Sequence, residues 1–131
     1  MLVESDYDWG QDLEILEPQW ARYQQQGQIL LYSFGFTDPR VVYGMSTAEG
    51  SVHGFMEYTQ VRSQGELEAW RQFITSEAIH SPARKAVSIS FLRLHPYGIQ
   101  FEGMSPDDAS SRPTPGTLVF DPSPPFDMHQ P

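Results

Sequence analysis

Apolar residues recur along this chain with two spacings. Leu13, Leu16, Trp20 and Tyr23 fall at i, i+3, i+7 and i+10, one stripe of a helix over about 11–26. Leu67, Trp70, Ile74 and Ala78 form a second stripe and predict a helix over about 64–79. Between them, Ile29 to Phe34 is a nearly continuous apolar run of strand length. A strand covered on both faces reads this way, as in a parallel sheet. Leu2 to Ser5 is short and half apolar, a candidate first strand. With the helix and residues 29–34 it makes a βαβ unit, right-handed by default. Val52 to Val61 is a weaker strand candidate, interrupted by Gly54. Val87, Ile89 and Phe91 alternate with Ser88, Ser90 and Leu92, and Ile99 and Phe101 alternate again beyond a His95-Pro96-Tyr97-Gly98 turn. That pattern predicts a hairpin of 86–94 with 98–103. Residues 105–115 read as a loop, and Thr117 to Phe120 as a last short strand.

Punctuating residues sharpen these boundaries. Asp8 can cap the first helix, with Gln11 three residues on, and Asp12 and Glu14 lie near the positive end of its dipole. Pro18 removes a backbone hydrogen bond within the stripe, which predicts a kink or two short helices. Gly27 marks the stop. Ser63 and Glu66 form a second capping box, and Ser81-Pro82 ends that helix. Seven of the eleven prolines lie in 106–131, so 121–131 reads as an extended Pro-rich tail. The pattern predicts one α/β domain over 1–120. Its mixed sheet has four to six strands in two or three layers, with two principal helices and an N-terminal βαβ unit.

Composition narrows the function classes. At 131 residues the chain is long enough for one real core, and 39% hydrophobic with 13% aromatic content argues against a disordered chain. There is no cysteine, which excludes disulfides, Cys-ligated metals and thiol nucleophiles. No apolar run reaches the length of a membrane span, and no basic segment with an apolar stretch opens the chain. Lack of a signal peptide points to the cytoplasm. The net charge of −9 argues against nonspecific nucleic-acid binding and against an anionic membrane surface. Residues 1–17 hold six acids and no base, while the other 114 hold eleven acids and eight bases. The negative field is therefore N-terminal, suited to a solvated face, a cation or a basic partner.

That acidic stretch contains the distinctive motif. Ser5-Asp6-Tyr7-Asp8-Trp9-Gly10-Gln11-Asp12-Leu13 is followed by Leu31-Tyr32-Ser33-Phe34-Gly35-Phe36-Thr37-Asp38-Pro39 and then Tyr43-Gly44. Over about residues 3–45 the chain resembles the extramembrane C-terminal domain of membrane glycosyltransferases of the dolichyl- or polyprenyl-phosphate-mannose–protein mannosyltransferase type. There a Ser-Asn-x-Asp-Trp-Gly-Gln-Asp-Leu segment starts a helix, and a strand ending in Tyr-Phe-Gly-Thr-x-Asp-Pro follows. Pro115 to Val119 looks like the closing strand of that domain. Asp6 stands where the family has Asn, Phe36 is an extra residue, and residues 47–105 have no alignable counterpart. The resemblance implies an accessory domain without the membrane-embedded catalytic part, and an extracytoplasmic place if it is a severed piece.

The candidate ligand-binding residues are Asp6, Asp8, Trp9, Gln11, Asp12, Tyr32, Asp38 and Tyr43. Carboxylates at Asp6, Asp8 and Asp12 can meet a hard cation or sugar hydroxyls at a strand-to-helix turn. N-capping and dipole complementarity explain Asp8, Gln11 and Asp12 without a ligand and leave Asp6 unexplained. Trp9 and Trp20 can stack on a sugar ring or fill the core. Tyr32, Phe34, Asp38 and Tyr43 can line a pocket beside them, although Asp38 before Pro39 is also an ordinary turn residue. His53, His80, His95 and His129 lack metal-ligand spacing, so no metal and no cofactor are expected. No Gly-x-Ser-x-Gly elbow or phosphate loop occurs. Three functions remain open. The first is a non-catalytic accessory domain binding a glycan or protein partner. The second is an acidic inhibitor- or immunity-type module for a basic partner. The third is a small hydrolase pairing Asp6 with Asp8 or Asp38. The absence of a complete catalytic motif weighs against an enzyme.

Overall fold

The computed structural model describes residues 11–33, 51–101 and 103–122. In chain order the elements are α1 (Gln11–Gln25), β1 (Ile29–Ser33), β2 (Val52–Gly54), α2 (Phe55–Tyr58), α3 (Gln64–His80), β3 (Arg84–Ser88), α4 (Ile89–Leu94), β4 (Ser111–Thr114) and β5 (Thr117–Phe120). Single 3-10 turns lie at Pro96–Gly98 and Pro106–Asp108. The strands form one mixed five-stranded sheet in the order β2-β1-β3-β5-β4. β1 is parallel to both β2 and β3, and β5 runs antiparallel to β3 and β4. The chain is thus a mixed α/β structure whose two long helices are those the periodicity predicts. The candidate strand at 2–5, and with it the first half of the βαβ unit, lies outside the described residues.

Alternation along the strands builds three layers. Ile29 and Leu31 of β1, with Ala86 and Val119, pack against Leu13, Leu16 and Trp20 of α1. Leu30 and Tyr32, with Val87, Leu118 and Phe120, face the other way and pack against Ile74 and Ala78 of α3. All five β1 residues are buried, which is why the run carries no polar alternation. Each fully buried Leu, Ile, Val or Phe among them gains about 1.5–3 kcal/mol from burial, the alanines less. Phe91, Ile99 and Phe101 extend the α3-side core from α4 and the segment after it.

Local chemistry sets the ends. Ser63 caps α3 by accepting from the Glu66 N–H at 3.1 Å, while Glu66 accepts from the Arg62 N–H at 2.8 Å. α1 runs through Pro18 as one helix rather than two. Pro18 and Glu14, whose carbonyl loses its partner, are both exposed, so water can satisfy that oxygen.

Two expected strands are corrected. The run 52–61 yields only three strand residues before α2. Gly54 adopts φ +151, and a Cβ there would lie 1.9 Å from the Ser33 carbonyl oxygen. The hairpin of 86–94 with 98–103 does not form. Ser88 caps a helix instead, its hydroxyl accepting from the Ser90 N–H, and the Ile89 N–H donates to the Gly116 carbonyl. The hairpin is β4–β5, so part of 105–115 is an edge strand with irregular register rather than a loop. The alternation at 87–91 reports burial of Ile89 and Phe91 in a helix that turns under the sheet.

Gly54→Ala is expected to cost about 3 kcal/mol or more, because both the φ and the Ser33 carbonyl oppose a side chain. Gly27→Ala, at φ +140 with open space around it, is expected to cost about 1 kcal/mol. Urea midpoints of the two variants measure the contrast, and equal losses would contradict the close packing of β2 on β1.

Candidate functional site

Two polar clusters occupy the carboxyl end of the parallel strands, one on each face. On the α1 face, Asp12 in the first turn of α1 meets the β4–β5 turn more than a hundred residues away. Its Oδ2 accepts from the Thr114 hydroxyl at 2.5 Å and from the Thr117 hydroxyl, and its Oδ1 accepts from the Gly116 N–H at 2.8 Å. The bare Gly116 α-carbon permits this approach, since a Cβ would stand 2.9 Å from Oδ1. Thr117 pairs with Ser88 and Val87 with Tyr32, which fixes the cluster at the carboxyl ends of β1 and β3. Open α/β sheets place their ligand crevices at this end.

On the α3 face, His53 of β2 lies directly beside Tyr32 of β1, with ring centroids 5.4 Å apart. Its Nδ1–H donates to both carboxylate oxygens of Glu57 in α2 at 3.0 Å. Its Nε2 lies 2.9 Å from Glu77 Oε1 of α3, a charge contact without the alignment of a hydrogen bond. The Tyr32 hydroxyl donates to the same Glu77 oxygen at 2.7 Å, and the Trp70 indole donates to Glu57 at 3.1 Å. Exposure rises from 3% at His53 to 18% at Glu77 and 36% at Glu57. Burial opposes the imidazolium, but the hydrogen bond and charge of Glu57, then the charge of Glu77, outweigh it and hold the His53 pKa above its ordinary value. Burial pushes Glu57 up, but the hydrogen bond and charge of His53 and the Trp70 N–H pull it below the usual carboxylate range. Burial lowers Lys85 of β3 against the opposing charge of Glu77, and its ammonium donates to the Ser81 carbonyl at 2.6 Å. Burial and the bond to Glu77 raise Tyr32 so far that it stays a neutral donor.

Of the sequence candidates, Asp12 and Tyr32 are placed, at the same end of the sheet but on opposite faces. Gln11 opens α1. Asp6, Asp8, Trp9, Asp38 and Tyr43 lie outside the described residues. Trp20 fills the core under α1. His53, Glu57 and Glu77 were not singled out by spacing. The His53-x-x-x-Glu57 interval is a usable signal only once Gly54 is known to turn a strand into a helix, and Glu77 is brought in by tertiary packing. Among the described residues no group of three His, Asp or Glu is arranged to hold a metal ion. No helix among them is long and apolar enough to cross a membrane. Comparison with protein-family models, curated proteins and solved structures finds no match.

Two outcomes follow from this geometry. Asp12→Ala is expected to lose about 3 kcal/mol of stability, and Asp12→Asn, which keeps one acceptor, less than that. Chemical denaturation distinguishes the two, and an Ala variant as stable as the parent would contradict the anchoring role. For the His53 pair, the raised imidazole pKa stabilises fully below about pH 6.5, and that contribution fades as pH climbs through the folded value. The lowered Glu57 pKa stabilises above about pH 4.5 and fades as pH falls through its folded value. The stability difference between the parent and His53→Gln should therefore shrink from pH 6 towards alkaline pH. A difference that stays flat would exclude a charged His53.

Proposed function

We propose that this chain is a non-catalytic accessory domain, of the kind found outside the membrane in mannosyltransferase-type glycosyltransferases. Its role is to recognise a glycan or a protein partner at the carboxyl end of its parallel strands. The supporting observation is the Asp12 anchor. It binds Asp12, within the Asp8-to-Leu13 motif, to the Pro115-to-Val119 segment. These are two separate pieces of the resemblance, and a shared structural role accounts for both. Asp12 has its carboxylate filled by the hairpin, so the motif carboxylates left for a ligand are Asp6 and Asp8. The His53 cluster fits the same reading. A ring with carboxylates against both nitrogens and almost no exposure offers a substrate no lone pair.

The test is an amide NMR titration with mannose-containing oligosaccharides. Shifts are expected near the start of α1 and the 114–117 turn, and Asp6→Ala should remove them while leaving the helical circular dichroism unchanged. No shift at about 10 mM glycan, well above a millimolar dissociation constant, would defeat the glycan form of the proposal.

The exposure of Glu14 and Glu17 on α1 favours a second reading, an acidic surface for a basic partner. Capture of such a partner should weaken steeply with added salt, and salt-insensitive capture would count against it.

A further inference from the structure

At the opposite end of α1 from Asp12, a groove of about 330 Å³ runs between the helix and the amino end of β3. Arg22 and Tyr23 of α1, with Gln26 just past its end, line one wall, and Arg84, Ser111 and Asp121 line the other. We propose that this groove binds a small ligand carrying a phosphate or carboxylate group on a polar body, with Arg22 and Arg84 as the anion contacts.

Charge is the first argument. The chain has eight basic residues against seventeen acids, yet among the described residues two arginines share this groove with a single carboxylate. Among the described residues Arg22 makes no ion pair or hydrogen bond through its side chain. Arg84 Nε stands 3.8 Å from Asp121 Oδ1, too far for a good hydrogen bond. Its guanidinium lies 5.8 Å from the centroid of the Tyr23 ring, which orients the planar fork without using its N–H donors. A guanidinium held in this way is suited to an oxyanion.

Pre-organisation is the second argument. The Tyr23 hydroxyl is hydrogen-bonded to the Ser111 hydroxyl at 2.9 Å, and the Gln19 amide donates to the Pro113 carbonyl at 3.0 Å. These bonds tie α1 to β4, so the walls that carry the arginines are braced. Apart from Val119 and the Tyr23 ring, the neutral lining carries hydroxyls and amides, which suit a ligand with a polar body. The volume is at the small end of ligand clefts. The negative end of the α1 dipole lies here, and Arg22 in the last turn offsets it. A polyanion such as nucleic acid would extend past the groove onto a protein of net charge −9, so the ligand is a small molecule.

Amide NMR titrations at constant ionic strength test this, using inorganic phosphate, malonate, ribose 5-phosphate and ribose. Phosphate, malonate or both should shift the groove amides around 22–26, 84 and 111, and ribose 5-phosphate should exceed ribose. Arg22→Gln changes an exposed helical residue, so its fold should persist, and it should weaken binding about fivefold or more. Arg84→Gln should weaken it further. The proposal is overturned if neither phosphate nor malonate shifts the groove beyond a chloride control. It is overturned equally if ribose matches ribose 5-phosphate, or if Arg22→Gln leaves the titration unchanged in a folded protein.

Discussion

The carboxylate of Asp12 holds the first turn of α1 to the far end of the described chain. It takes two hydroxyl donors and one backbone donor from a four-residue segment, Thr114 to Thr117. Charge-assisted bonds of this kind are roughly twice as strong as neutral ones. They also define an angle. With the helix start pinned at the β4–β5 turn and Tyr23 bonded to Ser111 further along, α1 is attached to β4 at both ends. The buried stripe of Leu13, Leu16 and Trp20 is then held over Ile29, Leu31, Ala86 and Val119. The hydrophobic contact supplies more of the free energy, since non-directional burial outweighs three hydrogen bonds. Direction and register come from Asp12.

The other face is held by a different device. His53 joins β2 to α2 through Glu57 and to α3 through Glu77, with Tyr32 and Trp70 filling further acceptor positions. A buried charge is costly unless paired, and removing one partner of such a pair typically costs about 3–5 kcal/mol. Here two carboxylates face one imidazole and hold its pKa above the ordinary value, and the more exposed of them, Glu57, keeps partial contact with water. The arrangement joins the short strand β2 and the single turn α2 to α3, beside the packing of Val52 on the α1-side core and the stacking of Tyr58 on Tyr97. The two clusters thus brace the two faces at the same end of the sheet, while the arginine groove lies at the other.

Much of the scaffold could be read from spacing. Leu13, Leu16 and Trp20, and likewise Ile74 and Ala78, turn the same side to the core because the helix repeat puts them there. The unbroken run at 29–33 was legible as a doubly covered strand for an equally local reason. The alternation at 87–91 misled because a strand and the capped start of a helix can both bury Val87, Ile89 and Phe91. Choosing between them depended on Ser88 as a cap and on the Gly116 carbonyl, one of them a contact from distant sequence. Asp12 was legible as an acid beside a helix start, where dipole complementarity accounts for it. Its hydrogen bonds to Thr114, Gly116 and Thr117 were not, because no local rule joins positions a hundred residues apart.

The amino-acid sequence by itself determined the α/β character, the two long helices, the buried central strand and the lack of any thiol chemistry. These depend on side-chain period and residue type, which act within a few positions of the chain. Tertiary structure alone decided what the polar residues do. It gave Asp12 to the hairpin, enclosed His53 between Glu57 and Glu77, and set Arg22 beside Arg84 in one groove. Hydrogen bonds and ion pairs form only at a few ångströms, and which groups come that close is settled by how the layers pack.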